Sequence, residues 1–79
     1  MSMEISVRVV NENGRPARNV SVTLDFGLFN GQLTEYTDGD GWANFEAGGD
    51  YVTCTVYIDG DNYGDHGIED GSTFSFARE

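Results

Sequence analysis

The fold class is indicated first by one continuous stretch, Ile5-Ser-Val-Arg-Val-Val-Asn-Glu-Asn-Gly14-Arg-Pro16-Ala-Arg-Asn-Val20-Ser-Val22. At both of its ends apolar residues recur at every second position, which is the period of a strand with one buried face. Between these ends lies an Asn-Gly dipeptide, whose residues tolerate the positive φ angles of tight turns. The only proline follows that turn, where its missing N–H costs no ladder hydrogen bond. The stretch therefore predicts two strands joined by a polar connection.

Outside this stretch the two-residue period recurs, and no window carries the apolar stripe of a helix. The alternating runs predict strands at about 3–11, 19–27, 32–38, 42–46, 51–58 and 72–77, with a seventh near 63–68. Asn30-Gly31 and Asp40-Gly41 are turn dipeptides, and each predicts a hairpin between its flanking runs. Strands at this spacing predict an all-β fold, a small antiparallel Greek-key β-sandwich of six to seven strands. Residues 1–79 are expected to form it as a single domain, and a small closed barrel is the alternative.

Side-chain parity separates a predicted core from a predicted surface, because neighbouring residues of a strand point to opposite faces. Hydrophobic residues make up 38% of the chain, which suffices for one thin core. The positions expected to point inward are the apolar members of each run: Ile5, Val7, Val9, Val20, Val22, Leu24, Phe26, Ala43, Phe45, Val52, Cys54, Val56, Ile58, Phe74 and Phe76.

The formal net charge of −10 is extreme for 79 residues, and all four basic residues are arginines. Such a surface is repelled by nucleic-acid backbones and by anionic lipids, so no direct nucleic-acid partner and no membrane partner is expected. The excess of acidic residues is typical of a protein that functions at high salt, of one that mimics a polyanion, or of one whose surface charge only keeps it soluble.

The first residues carry neither the basic start nor the apolar stretch of a signal peptide. No segment approaches the roughly 20 apolar residues that a membrane-spanning helix needs. Cys54 is the only cysteine, so no internal disulfide is expected. The sequence as given therefore predicts a cytoplasmic protein, or one piece of something larger.

Two segments carry a family resemblance. The first is the stretch from residue 5 to 22, and the second is Tyr36-Thr-Asp-Gly-Asp-Gly-Trp-Ala-Asn-Phe45. Together they resemble the carboxypeptidase regulatory-like and transthyretin-like (prealbumin-like, Ig-like) β-sandwich domains, and Asn19 stands where the family opening usually has glycine. The resemblance spans about residues 4–58 and implies a sandwich that serves as a spacer or as a protein- or sugar-binding module.

Nucleophilic catalysis needs a nucleophile, a base and an orienting group within hydrogen-bond reach. The only histidine, His66, lies in an acid-rich segment, and Cys54 has the parity of core residues. A buried cysteine behaves as a small hydrophobe. Asp65 or Asp70 beside His66 could form a dyad, but solvated loop residues explain them better, so we expect no catalytic residues and no enzyme.

The segment from Asp59 to Asp70 resembles the outline of an EF-hand loop. Its candidate metal ligands are Asp59, Asp61, Asp65 and Asp70, because hard cations such as Ca²⁺ prefer carboxylate oxygens. Tyr63 occupies a position where a ligand is expected, and flanking helices are absent. The alternative is a plain surface loop, since Asp and Gly are usual turn formers. We therefore expect no cofactor, with Ca²⁺ as the alternative.

The remaining candidate site is aromatic. Parity places Trp42, Tyr51 and Tyr57 on the outside, Tyr36 can join them across a hairpin, and Phe29 lies near a hairpin tip. Exposed Trp and Tyr side chains suit protein recognition or stacking on a sugar ring. Ordinary cross-strand pairing, or cover by a neighbouring subunit, is the alternative.

Three functions follow as hypotheses. The first is a non-catalytic interaction module that binds a protein partner, or itself, through a sheet face or an edge strand. The second is a small acidic inhibitor, of the phage-encoded or immunity type, that mimics nucleic acid on a basic protein. The third is a Ca²⁺- or carbohydrate-binding domain.

Overall fold

A computed structural model describes residues 2–27, 31–48 and 52–78 of the protein. These residues form seven strands: β1 (Ser2–Val10), β2 (Ser21–Asp25), β3 (Gln32–Tyr36), β4 (Trp42–Gly48), β5 (Thr53–Ile58), β6 (Asp61–Gly67) and β7 (Ser72–Ala77). The all-β prediction is confirmed, and the seventh strand exists. No helix long and apolar enough to cross a membrane occurs in these three ranges.

The strands form two sheets with the core between them. One sheet has three strands in the order β4-β1-β7, and the other has four in the order β3-β2-β5-β6. β4 returns to lie beside β1, which is the neighbour relation of a Greek key. All pairs are antiparallel except β1 with β7, which is parallel. β7 follows a crossing from the other sheet rather than a hairpin, and only such a crossing allows parallel neighbours.

The core is built from the alternating positions that the sequence predicts. Ile5, Val22 and Val56 are fully buried, and Phe74 and Phe76 are partly buried against them. Val52 is an exception, because it is 73% exposed. It lies just before β5 begins at Thr53, so the alternation of the strand does not orient its side chain. Met3, Ala17, Ala47 and Ile68 also join the core.

The hairpin predicted at Asn30-Gly31 joins two paired strands, β2 and β3, although its tip lies partly outside the described residues. The hairpin predicted at Asp40-Gly41 is wrong, because β3 and β4 belong to different sheets. The turn itself is tight: the Asp38 carboxylate accepts hydrogen bonds from the N–H groups of Asp40 and Trp42. Beyond this turn the chain crosses from one sheet to the other.

This crossing packs against the connection between β1 and β2. The buried Thr37 hydroxyl donates to the Ala17 carbonyl at 2.6 Å and accepts from the Val20 N–H at 2.9 Å. The Val9 N–H donates to the Gly41 carbonyl, so the crossing is also tied to β1. Asn19 has φ 55°, a conformation that asparagine and glycine tolerate best, which explains asparagine at this position.

Candidate interaction surfaces

The predicted aromatic site is divided between the two sides of the sandwich. Trp42 lies on the outer face of the three-stranded sheet, whereas Tyr36 and Tyr57 lie on the outer face of the four-stranded sheet. A single patch containing these three is therefore wrong, because the chain changes sheets between Tyr36 and Trp42. Phe29 and Tyr51 lie outside the described residues.

Trp42 lies beside an arginine. Arg8 of β1 is directly opposite Trp42 of β4 and, on its other side, directly opposite Ser75 of β7. The Arg8 Nε is buried and has no hydrogen-bond partner among the described residues. The ion pair that the described residues do form joins Arg78 to Asp59 at 2.8 Å. Arg8 therefore forms no ion pair with any carboxylate of the described residues.

We define the tryptophan face as the outward side chains around this pair: Ser6, Arg8, Trp42, Asn44, Thr73 and Ser75. Its second row is polar, with the Ser6 hydroxyl 2.9 Å from the Asn44 side-chain oxygen. Below that row Glu4 lies opposite Glu46, and both line a surface depression of about 360 Å³. The outer surface of this sheet thus changes, within three cross-strand pairs, from the cation and indole of the tryptophan face to two carboxylates that lie next to that face.

On the opposite outer face, neighbouring polar side chains bond to one another. The hydroxyls of Thr23 and Thr34 are 2.8 Å apart, and the Thr55 hydroxyl donates to the Asp65 carboxylate. Tyr57 lies between Thr23 and Asn62 in the register of the sheet. Ordinary cross-strand pairing accounts for these contacts. Tyr36, at the edge strand β3, is 66% exposed.

The four predicted metal ligands are separated. Residues 61–67 form β6, so the interpretation of this segment as a loop is wrong. Asp59 binds Arg78, the Asp70 carboxylate accepts from the Glu4 N–H at 2.9 Å, and Asp65 binds Thr55. Asp61 lies opposite Ile58. Within the described ranges, no three His, Cys, Asp or Glu side chains are placed to hold one metal ion.

His66 turns away from the carboxylates that the sequence suggested as its partners. It lies opposite Cys54 in the β5–β6 register, and its ring lies 5.4 Å from that of Phe74 and 5.2 Å from that of Phe76. Its Nε2 is 3.0 Å from the Tyr63 carbonyl oxygen. Asp65, its neighbour in sequence, binds Thr55 on the outer face. A catalytic dyad of His66 with Asp65 is therefore not formed.

Burial makes the Cys54 thiol a poor nucleophile. Desolvation, with a smaller effect from the negative charge of Asp65, raises its pKa from 9.0 to about 11. The thiolate is the reactive form. A pKa higher by two units lowers the thiolate fraction below pH 9 by roughly 99%, relative to a thiol with the ordinary pKa. We expect Cys54 to react with iodoacetamide at pH 8 at least about 100-fold more slowly in the native state than in 8 M urea, measured by intact mass. Equal rates would contradict the burial of this thiol.

One edge of the three-stranded sheet was missed by the sequence reasoning. β7 pairs with β1 alone among the described strands, so its other side is free. Half-buried rings, which we call the aromatic seam, fill the gap between β7 and the edge strand β6 of the other sheet: Tyr63, His66, Phe74 and Phe76. The sequence signal for this edge was the absence of any charge from Ser72 to Ala77.

The chain matches no protein-family model, and no curated protein matches it significantly. Its function is therefore inferred from these surfaces. The tryptophan face leaves the buried Arg8 Nε without a hydrogen-bond partner among the described residues. Of the four edge strands, β7 is the one that carries no charged residue.

Proposed function

We propose that the protein is a non-catalytic interaction module that binds a protein partner through the tryptophan face. The observation that carries this proposal is the cross-strand pair of Trp42 and Arg8, in which the Arg8 Nε is buried and finds no hydrogen-bond partner within ranges 2–27, 31–48 and 52–78. Trp and Arg are the residue types most enriched among interface hot spots. A buried donor without an acceptor is unfavourable. Because the Arg8 Nε is closed to solvent, a partner relieves that cost by drawing the Arg8 side chain outward onto an acceptor of its own.

The surroundings of the pair support the proposal. Ser6, Asn44, Thr73 and Ser75 are small and uncharged, so a partner can approach without displacing long side chains. Arg8 lies in the middle strand of its sheet, where β4 and β7 flank it on both sides. Hot spots lie near the centre of an interface, surrounded by weaker contacts that exclude water.

We further propose that the domain belongs with the transthyretin-like sandwiches. Supporting this, the two segments that carry the resemblance lie against each other. The second segment supplies Thr37 and Gly41, which contact Ala17 and Val9 of the first segment. Because these contacts join the two segments in one packing arrangement, we expect the two segments to occur together in domains that share this fold.

The acidic-inhibitor function is the second candidate, and the net charge of −10 favours it. It requires carboxylates arranged to mimic phosphates on one surface. The described carboxylates lie on both outer faces, with Glu4 and Glu46 on one and Asp25 and Asp65 on the other. Salt dependence separates the two candidates, since polyanion mimicry weakens steeply as salt rises.

The test is capture of a partner from native lysate on the immobilised protein, at 50 mM and at 500 mM salt. We expect Trp42→Ala to weaken binding of that partner about 30-fold, as a hot-spot loss of about 2 kcal/mol does. Tyr36→Ala, on the opposite outer face, is the matched control and should leave binding unchanged. A partner released at 500 mM salt, and indifferent both to Trp42→Ala and to Ser75→Pro at the free side of β7, would instead support the inhibitor.

A further inference from the structure

We propose that the free side of β7 binds an extended, Lys- or Arg-bearing peptide segment of a partner protein, which adds as a fourth strand to the three-stranded sheet. This site uses backbone groups of β7 at the sheet edge, whereas the tryptophan face uses side chains on the sheet surface, to which β7 contributes Thr73 and Ser75. Strand addition is a common mode of peptide recognition, with main-chain hydrogen bonds providing affinity and alternate side chains providing specificity.

The backbone of β7 presents the groups that such a strand needs. The Arg78 N–H, just after β7, donates to the Val10 carbonyl of β1 at 2.8 Å. Successive N–H groups of a strand point to alternate sides, so those of Phe76 and Phe74 also point towards β1. The N–H groups of Ala77, Ser75 and Thr73 therefore point to the free side.

β7 also lacks the protection that edge strands usually carry. Natural edges are guarded by charges, prolines or bulges, because an open edge pairs with other chains. The other three edge strands each carry carboxylates: Glu46 in β4, Glu35 in β3, and Asp61 and Asp65 in β6. The sequence of β7, Ser-Thr-Phe-Ser-Phe-Ala, contains no charge and no proline.

The aromatic seam supplies the apolar contact for one side of the added strand. Tyr63 and Phe76 are in edge-to-face contact at 5.7 Å, and His66 contacts both Phe74 and Phe76. These rings are only half-buried, although the core residues behind them are almost completely buried. An incoming strand that extends the sheet would place every second side chain over these rings, where it removes apolar surface from water.

The acidic residues near β7 favour a positively charged segment as the added strand. Exposed carboxylates flank this part of the chain, with Glu69 shortly before β7 and Asp61 in β6, whereas Arg78, directly after β7, is paired with Asp59. A second copy of this chain would bring the same acids and a further net charge of −10, so electrostatic repulsion opposes self-pairing. A segment with lysine or arginine at its outward positions is attracted instead.

The experiment uses the full chain, labelled with ¹⁵N, and two pools of eight-residue peptides. In one pool lysine alternates with positions randomised among Val, Ile, Leu, Phe and Tyr; in the other, glutamate replaces lysine. We expect the lysine pool to slow hydrogen exchange of the Thr73, Ser75 and Ala77 amides at least tenfold. The Phe74 and Phe76 amides should be protected already without peptide.

Ser75→Pro is expected to abolish this protection, because proline removes an edge-facing N–H that no bond to β1 uses. Ser75→Ala is its matched control and should bind as the wild type does. Thr73→Lys and Thr73→Glu serve as a second pair, with weaker binding of the lysine pool expected for the first and tighter binding for the second. Trp42→Ala should leave this protection unchanged, so failure of this site and of the tryptophan face are separately visible.

Three results would overturn the proposal. They are equal protection by both peptide pools, no protection by the lysine pool at millimolar concentration, and protection of the same amides by raising the protein concentration alone. The last of these would identify a second copy of the chain as the occupant.

Discussion

Gly41→Ala is expected to lower the free energy of unfolding by about 4 kcal/mol, enough to unfold much of a domain of this size. Gly41 has φ +83°, where an L-residue pays roughly 1 kcal/mol. A Cβ at this position would also lie 2.6 Å from the Val9 carbonyl oxygen and 3.3 Å from the Pro16 Cβ. Relieving such an overlap costs up to about 3 kcal/mol, because the obstacle is backbone that is itself hydrogen-bonded.

Gly14→Ala is the matched control for this substitution. Gly14 has the same φ of +83°, and a Cβ there meets nothing within 4 Å. Gly14→Ala should therefore lower the free energy of unfolding by about 1 kcal/mol, through the backbone conformation alone. Urea unfolding followed by circular dichroism measures both variants. Equal losses for the two variants would show that the contact between the crossing and β1 is looser than this structure has it.

Thr37→Val is expected to cost about 2–4 kcal/mol, although valine has nearly the same shape as threonine. The substitution removes the hydroxyl that binds the Ala17 carbonyl and the Val20 N–H. Thr37 is only 2% exposed, so water does not replace either bond. Each buried polar group left without a partner costs about 1–3 kcal/mol.

Two other variants keep this prediction specific. Thr23→Val makes the same change on an outer face, where the Thr23 hydroxyl bonds to Thr34 beside solvent, and should change stability by less than about 1 kcal/mol. Thr37→Ser keeps the hydroxyl and should retain most of the stability. Thermal unfolding at one pH orders the three variants, and a Thr37→Val protein as stable as Thr23→Val would argue against the two buried hydrogen bonds.

The candidate sites were predictable only in part. The sequence placed Trp42 on an outer surface, and it lies on one. It did not identify Arg8 as the neighbour of Trp42, because cross-strand pairing joins residues 34 positions apart and no local pattern fixes the register. The sequence also predicted that Tyr36 lies beside Trp42, which is wrong. A Gly-rich turn between two alternating runs looks the same in sequence whether the two runs pair as a hairpin or belong to different sheets.

The segment around His66 shows the same limit. The sequence predicted a strand near 63–68 and left a surface loop as the alternative for the acidic segment, because its many Asp and Gly residues have the composition of a loop. Residues 61–67 form β6, which pairs with β5 through a register shift. Strand propensity is weak and depends on the neighbouring strand, so tertiary pairing overrides it here. The consequence is functional, because the pairing separates the acidic side chains and points His66 into the aromatic seam.

By itself the sequence determined the strands and the inside of the sandwich, because the two-residue period of strands such as β1, β2 and β5 assigns each side chain to one of two faces without reference to anything distant. Only the tertiary structure decided which outer face each residue shares and which edge stays open. Those properties depend on the order of strands in the sheets, to whose stability the close fit of Gly41 against Val9 and the buried hydroxyl of Thr37 contribute. Contacts of that kind join distant parts of the chain, and their energy exists only after folding has brought those parts together.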